Sequence, residues 1–169
     1  FKEYFKQFTY KRPVGSQVDL DDRFYVKAQS SLDNPDYEFR HIRKDEFKIA
    51  HKYFLKVYNE AWTGHNGVKP MTEAQAHNIF KQLKPIADVK IVWFAFYKGE
   101  PVAFFISIPE LNQLYKHLNG QWNLWSKIKF MYMLKTGVCK KALGIVFGVV
   151  PTHQRKGVEG GLVVSFVKE

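Results

Sequence analysis

The sequence predicts an α/β (α+β) domain: a mixed, mostly antiparallel sheet flanked by helices, with a two-helix insertion between the third and fourth strands. Three observations carry that expectation. Apolar residues switch between helical spacing and β-rich runs in the order strand, helix, helix, strand, strand, two helices, strand, loop, helix. Two strand-like runs, 89–97 and 101–108, are apolar at nearly every position, so both of their faces need cover. A third run, 143–150, stops at Pro151 and passes through a polar loop into a glycine-opened helix.

The elements follow in order. Residues 1–10 alternate loosely like a strand, which Pro13-Val14-Gly15 ends. Residues 19–30 suit a short helix with Phe24 and Ala28 at i, i+4, and Asp33-Asn34-Pro35 is a turn signal. Residues 37–43 alternate as a strand, with Tyr37, Phe39, His41 and Arg43 on one side. Residues 45–62 place Phe47, Ala50, Phe54, Val57, Tyr58 and Ala61 on one helical stripe. Thr72-Glu73-Ala74-Gln75 reads as a capping box, opening a helix that buries Ala76, Ile79, Phe80 and Leu83 and stops at Pro85.

Lys98-Gly99-Glu100 joins the two apolar runs as a hairpin. Residues 110–118 then predict a helix with Leu111, Leu114, Tyr115 and Leu118 on one face, ended by Asn119-Gly120. Residues 122–134 predict a second, with Trp125, Ile128, Met131 and Tyr132 turned inward. The strand 143–150 and the last helix complete the order.

At 169 residues the chain suits one domain with a sizeable core, and its 15 Phe, 9 Tyr and 4 Trp are a folded composition. Cys139 is the only cysteine, so no intrachain disulfide forms, and no Cys/His spacing suggests a metal. A reducing, cytoplasmic setting is the default expectation. No apolar run is long enough to span a bilayer, and no membrane partner is expected. The net charge of +10 suits acidic partners, but the lysines are dispersed, so nucleic acid is not the expected one.

The stretch Gly148-Val149-Val150-Pro151-Thr152-His153-Gln154-Arg155-Lys156-Gly157-Val158-Glu159-Gly160-Gly161 carries the chemistry. A strand–loop–helix junction offers an anion unpaired N–H groups and the positive end of a helix dipole. Arg155 and Lys156 add positive charge at its mouth. These residues resemble motif A of the GNAT N-acyltransferase superfamily, in which Val-x-Pro leads into Gln/Arg-x-x-Gly-x-Gly/Ala and the loop holds the pyrophosphate of an acyl-coenzyme A. Glu159 departs from the pattern, standing where the superfamily has Gly or Ala. It must turn outward or cap the helix to leave room for a pyrophosphate.

Further segments strengthen the resemblance: Val57-Tyr58-Asn59-Glu60-Ala61-Trp62, Pro70-Met71-Thr72-Glu73, Pro101-Val102-Ala103-Phe104-Phe105 and Pro109-Glu110-Leu111-Asn112-Gln113. Together they look like a poorly characterised bacterial GNAT-like family. The resemblance covers 37–169, with 109–139 as the helical insertion and 1–36 as the tail of a preceding segment or lobe. Motif A falls midway through a complete GNAT domain. The chain is therefore expected to be a fragment, incomplete at its C-terminus and completed by a missing C-terminal half or another chain.

The resemblance implies an acyl-CoA-dependent N-acyltransferase that passes an acyl group, acetyl in the first instance, to an unidentified amine by direct attack. The implied donor, bound as a substrate, is acetyl-CoA or another acyl-CoA, with no metal. Its contacts fall on Phe147, Gly148, Val149, Gln154, Arg155, Lys156, Gly157, Val158, Glu159 and Gly160. Gly148 suits either a close ligand approach or a tight packing spot. His153 is expected to be solvated, the alternative being a hydrogen bond to phosphate. Asn59, Trp62, His65 and Asn112 either border the acceptor cleft or serve as caps and packed aromatics. Strand 143–150 has no carboxylate, so no catalytic residue is assigned. Two alternatives remain: a non-catalytic GNAT-fold module that binds an acidic partner, and an acyl- or aminoacyl-transferase whose donor is a carrier protein or tRNA.

Overall fold

Expected strands and helices converge on one sheet. The computed structural model describes residues 5, 6, 8–11, 13, 20–64 and 67–169. Four strands, β1 (Tyr37–His41), β2 (Val92–Tyr97), β3 (Glu100–Pro109) and β4 (Ala142–Val149), pair antiparallel in the order β1-β2-β3-β4. Six α-helices surround them among the described residues: α1 (Asp22–Leu32), α2 (Ala50–Trp62), α3 (Glu73–Leu83), α4 (Asn112–Tyr115), α5 (Leu124–Lys135) and α6 (Val158–Lys168). From β1 onward this is the GNAT-like order that the sequence led us to expect, with the helical pair inserted between β3 and β4.

The register explains why the strands are apolar throughout. Tyr37, Phe39 and His41 stand opposite Tyr97, Ala95 and Trp93, and Trp93 stands opposite Phe105. Directly opposed residues share a face, and this face receives α6. The Phe166 ring packs 6.2 Å from Trp93 and 5.0 Å from Phe105. On the other face lie Phe94, Phe96 and Phe104. Phe54 of α2 packs 5.0 Å from Phe104, Tyr53 packs 5.4 Å from Phe96, and Phe80 of α3 closes on Phe54 at 5.7 Å. Both faces are covered, as the doubly apolar runs require.

Several local expectations hold in detail. The Thr72 hydroxyl accepts from Gln75 N at 3.3 Å while Thr72 N donates to Gln75 Oε1 at 2.9 Å, a complete capping box. Lys98 and Gly99 both take positive φ, +50° and +83°, as a two-residue hairpin turn demands.

Others are corrected. β1 ends at His41 because Arg43 N turns away to donate to the Glu46 carboxylate at 2.9 Å, leading into a 3-10 turn at Glu46–Lys48. Residues 89–91 are a 3-10 turn instead of strand, held by the Asp88 side chain accepting from Lys90 N at 3.0 Å. The helix expected over 110–118 shrinks to Asn112–Tyr115. The largest correction concerns α5. Ser126, Phe130 and Met133 are its buried residues, whereas Trp125, Ile128, Met131 and Tyr132 face outward. Of the expected strand at 1–10, residues 1–4 and 7 lie outside the described residues, and 5, 6 and 8–10 form no strand.

Helix α1 is held against α6. Asp21 caps it by accepting from Arg23 N at 3.0 Å. Ala28, fully buried, packs with Leu20 and Val164. The packing is close because α6 presents glycines. A Cβ at Gly160 would sit 3.1 Å from Ala28, and one at Gly161 would sit 2.6 Å from the Phe39 ring.

Candidate functional site

The site is built where β4 gives way to α6. Val150 still belongs to the sheet, donating its N–H to Val102 O at 2.9 Å. Pro151 then sets the first position of a 3-10 turn, Pro151–His153, closed by His153 N donating to Val150 O at 2.9 Å. The Gln154 side chain reaches back, Nε2 donating to Val149 O at 3.0 Å, and ties the loop to the strand it leaves. Arg155 takes a left-handed φ of +61° and Gly157 one of +80°. Two such residues in three reverse the chain tightly enough to start α6 at Val158.

Helix α1 fixes the loop from outside. Ser30 Oγ donates to Lys156 O at 3.1 Å and Ser31 Oγ donates to Gly157 O at 2.8 Å. A Cβ at Gly157 would lie 2.3 Å from Lys27 O. Glycine at 157 is thus required twice, by its backbone conformation and by the α1 backbone beside it. The space its missing side chain leaves is occupied by α1.

The first turn of α6 is left without a side-chain cap, because Gly157 is its N-cap residue. The N–H groups of residues 158–160 have no intrahelical acceptor, and the positive end of the dipole lies among them. Val158 and Gly160 are buried in this turn. Arg155 and Lys156 are exposed beside this end. Glu159 sits half-buried in the same turn.

His153 is half-buried and hydrogen-bonded, not freely solvated as the sequence suggested. Its Nδ1 lies 2.6 Å from the Tyr37 hydroxyl, and its ring packs 4.9 Å from that of Tyr97. Burial pushes its pKa below the usual imidazole range, Lys156 pushes it further down, and Glu60 opposes both. Tyr37 is raised, first by burial, then by Tyr97 and Glu159. His153, Tyr37 and Tyr97 line a cleft of about 400 Å³ together with Ser30, Asn34, Thr152 and Lys156. None of the tyrosines or serines here was marked in the sequence. Tyr37 and Tyr97 meet only through the β1–β2 register, and Ser30 lies 126 positions from the carbonyl it binds.

The strand residues divide. Phe147 rests edge-on against Phe105, ring centroids 5.7 Å apart, and Val149 is buried. Gly148 is a packing spot: a Cβ there would lie 3.0 Å from both the Phe104 ring and Trp62 Nε1. β4 is an edge strand among the described residues, so its outer N–H and C=O groups face no neighbouring strand.

The residues marked for an acceptor cleft separate. Asn59 is a clamp, donating from Nδ2 to Met71 O at 3.0 Å and accepting from Met71 N at 2.8 Å. Trp62 stacks on Tyr58 and covers Gly148. Asn112 opens α4, exposed, on a helix that packs against α5. His65 lies outside the described residues.

No protein-family model matches the chain. A bacterial ceramide synthase of Caulobacter vibrioides (strain NA1000 / CB15N) is 25% identical to it over 146 residues, 79% of this chain and 38% of that protein. Protein YghO of Escherichia coli (strain K12) is 24% identical over 115 residues, 68% of this chain and 30% of that one. The chain thus spans about a third of the length of the curated relatives it matches. Among solved structures, an agmatine N-acetyltransferase variant in its apo form aligns at a TM-score of 0.44 with 15% identity, covering 79% of this chain and 69% of that one.

Proposed function

We propose that this chain supplies the donor-binding part of an N-acyltransferase that passes an acyl group from an acyl-coenzyme A to an amine. The observation that carries the reading is the uncapped first turn of α6, opened by left-handed Gly157 at the end of an edge strand and flanked by Arg155 and Lys156. A pyrophosphate accepts hydrogen bonds from such N–H groups and is held by both the dipole and the cations. The open edge of β4 offers backbone groups to the amide-bearing arm of the thioester. A strand N–H aimed at the thioester oxygen stabilises the negative charge that develops there as the amine attacks. The amine nitrogen forms the new C–N bond, the thiolate leaves, and the amine proton passes to solvent or to a base outside β4, which has no carboxylate. One relative is named a ceramide synthase. Ceramide is an N-acylated long-chain amine, and a long-chain amine is the acceptor class we propose.

Glu159 favours a second reading, a GNAT-fold module that binds an acidic partner without acyl transfer, because a carboxylate in the first turn of α6 opposes a pyrophosphate. Calorimetric titration of coenzyme A separates the two. Binding that weakens in Arg155→Ala and Lys156→Ala supports the transferase. No binding at millimolar coenzyme A supports the module. Binding of an acylated carrier protein or aminoacyl-tRNA without coenzyme A binding would move the donor to that class.

A further inference from the structure

Helix α5 carries two apolar stripes, and only one is used. Phe130 and Met133 pack inward with Leu114 and Leu118 of the insertion. The second stripe, Leu124, Trp125, Ile128, Met131 and Tyr132, recurs at helical spacing on the opposite side, and Trp125 is 77% exposed and Leu124 71%. Lys127 and Lys129 flank this outer stripe on its two sides, by the 100° advance per residue of an α-helix. Lys135 ends it, and Lys116, Lys140 and Lys141 lie on the connecting segments. From Leu111 to Val158 the chain has no carboxylate side chain at all.

Such a surface is poorly suited to water. An apolar stripe with aromatic residues, bordered by long cationic side chains, is the pattern of a helix lying in a lipid interface. The rings enter the boundary between headgroups and acyl chains, while the stems of Lys127 and Lys135 run along the apolar layer and keep their ammonium groups at the lipid phosphates; the Lys129 ammonium donates to His117 O at 2.9 Å. Lysines with no carboxylate among them, from Lys116 to Lys141, select anionic headgroups.

We propose that the outer face of α5 docks this protein on an anionic lipid bilayer. The contact is peripheral: no helix among the described residues is long and apolar enough to cross a membrane. The absence of a span led the sequence reading to expect no membrane partner. The outward turn of Trp125, Ile128 and Tyr132 revises that expectation for the surface. The inference is independent of acyl transfer, since none of these residues belongs to the loop at α6.

Vesicle co-sedimentation tests it with the 169-residue chain, using phosphatidylcholine vesicles and vesicles containing equal phosphatidylglycerol. Binding to the anionic vesicles is expected at least about tenfold tighter than to the neutral ones, weakening as salt rises. The double variant Trp125→Ser/Ile128→Ser should lose at least about tenfold, and Lys127→Gln/Lys135→Gln should lose mainly the preference for the anionic lipid. All four positions are exposed, and circular dichroism of each variant checks that the fold is retained. Three results would each overturn the proposal: no binding to anionic vesicles, equal binding to both compositions, or variants that bind like the wild type. Self-association of the wild type that both serine substitutions abolish, without vesicle binding, would assign the face to a second copy of the chain instead.

Discussion

The Tyr37 hydroxyl and His153 Nδ1 are 2.6 Å apart, joining the first strand of the sheet to the turn that follows the last one. This bond locks the loop before α6 to the far edge of the sheet. It also places an imidazole, held neutral by burial and by Lys156, in the wall of the cleft next to the helix terminus. Tyr37→Phe is therefore expected to cost about 1 kcal/mol of stability, measured by urea denaturation. A loss indistinguishable from zero would mean that the contact does not hold the loop.

The same pair sets a pH dependence. The folded pKa of His153 lies below the ordinary 6.5, so on acidification the unfolded chain takes the proton first. Its contribution to stability is complete above pH 6.5 and is lost as pH falls through the folded value. An NMR titration should find His153 below the ordinary histidine range, rising in Lys156→Ala. A value at or above 6.5 in the wild type contradicts the account.

Glu46 gives a second acid-sensitive point. Burial alone would push its carboxyl up, but Arg40 (2.7 and 2.9 Å), Arg43 Nη2 (3.0 Å) and Arg43 N (2.9 Å) hold it down at about 2, against an ordinary 4.5. A depressed carboxylate stabilises the fold fully above about pH 4.5, and that contribution disappears as pH falls through about 2. Glu46→Gln should cost about 3 kcal/mol at neutral pH, because it removes the carboxylate that takes two hydrogen bonds from the partly buried Arg40 and leaves it only the more exposed Glu38 at 2.9 Å. It should also flatten the acid limb of thermal unfolding between pH 5 and 2, within roughly the span that linkage predicts. An unchanged acid limb would rule out Glu46 as its source.

Gly157→Ala tests the fold and not the ligand. With φ at +80° and a new Cβ 2.3 Å from Lys27 O, the variant should lose about 3 kcal/mol or more, through strain and the displacement of α1. Any loss of coenzyme A binding in it would be confounded with unfolding. Arg155→Ala and Lys156→Ala are the cleaner probes, since both side chains are exposed.

Glu159→Ala should leave coenzyme A binding equal or tighter than in the wild type, by up to about tenfold if the carboxylate opposes the pyrophosphate at short range. Calorimetry checks it. Weaker binding would show that Glu159 helps to hold the donor.

Local signals were legible in the sequence wherever a residue's neighbours in the chain decide its state. The Thr72 capping box, the Lys98-Gly99 hairpin, the four strands and the loop from Pro151 to Gly157 all answer to backbone rules within a few residues. What the sequence could not decide was which surface each element meets. In α5 both stripes are apolar, so periodicity alone could not say whether Phe130 or Trp125 faces the core; the contact with Leu114 and Leu118 chose. Asn59 had the composition of a cleft residue until the fold brought Met71 to both ends of its amide. Gly157 looked suited to a phosphate, yet the atom nearest its missing Cβ is Lys27 O, from a helix 130 positions earlier in the chain. The backbone bend at Gly157 was fixed locally, through φ. What fills the space beside it was fixed by packing between distant segments, and only the tertiary structure determines that.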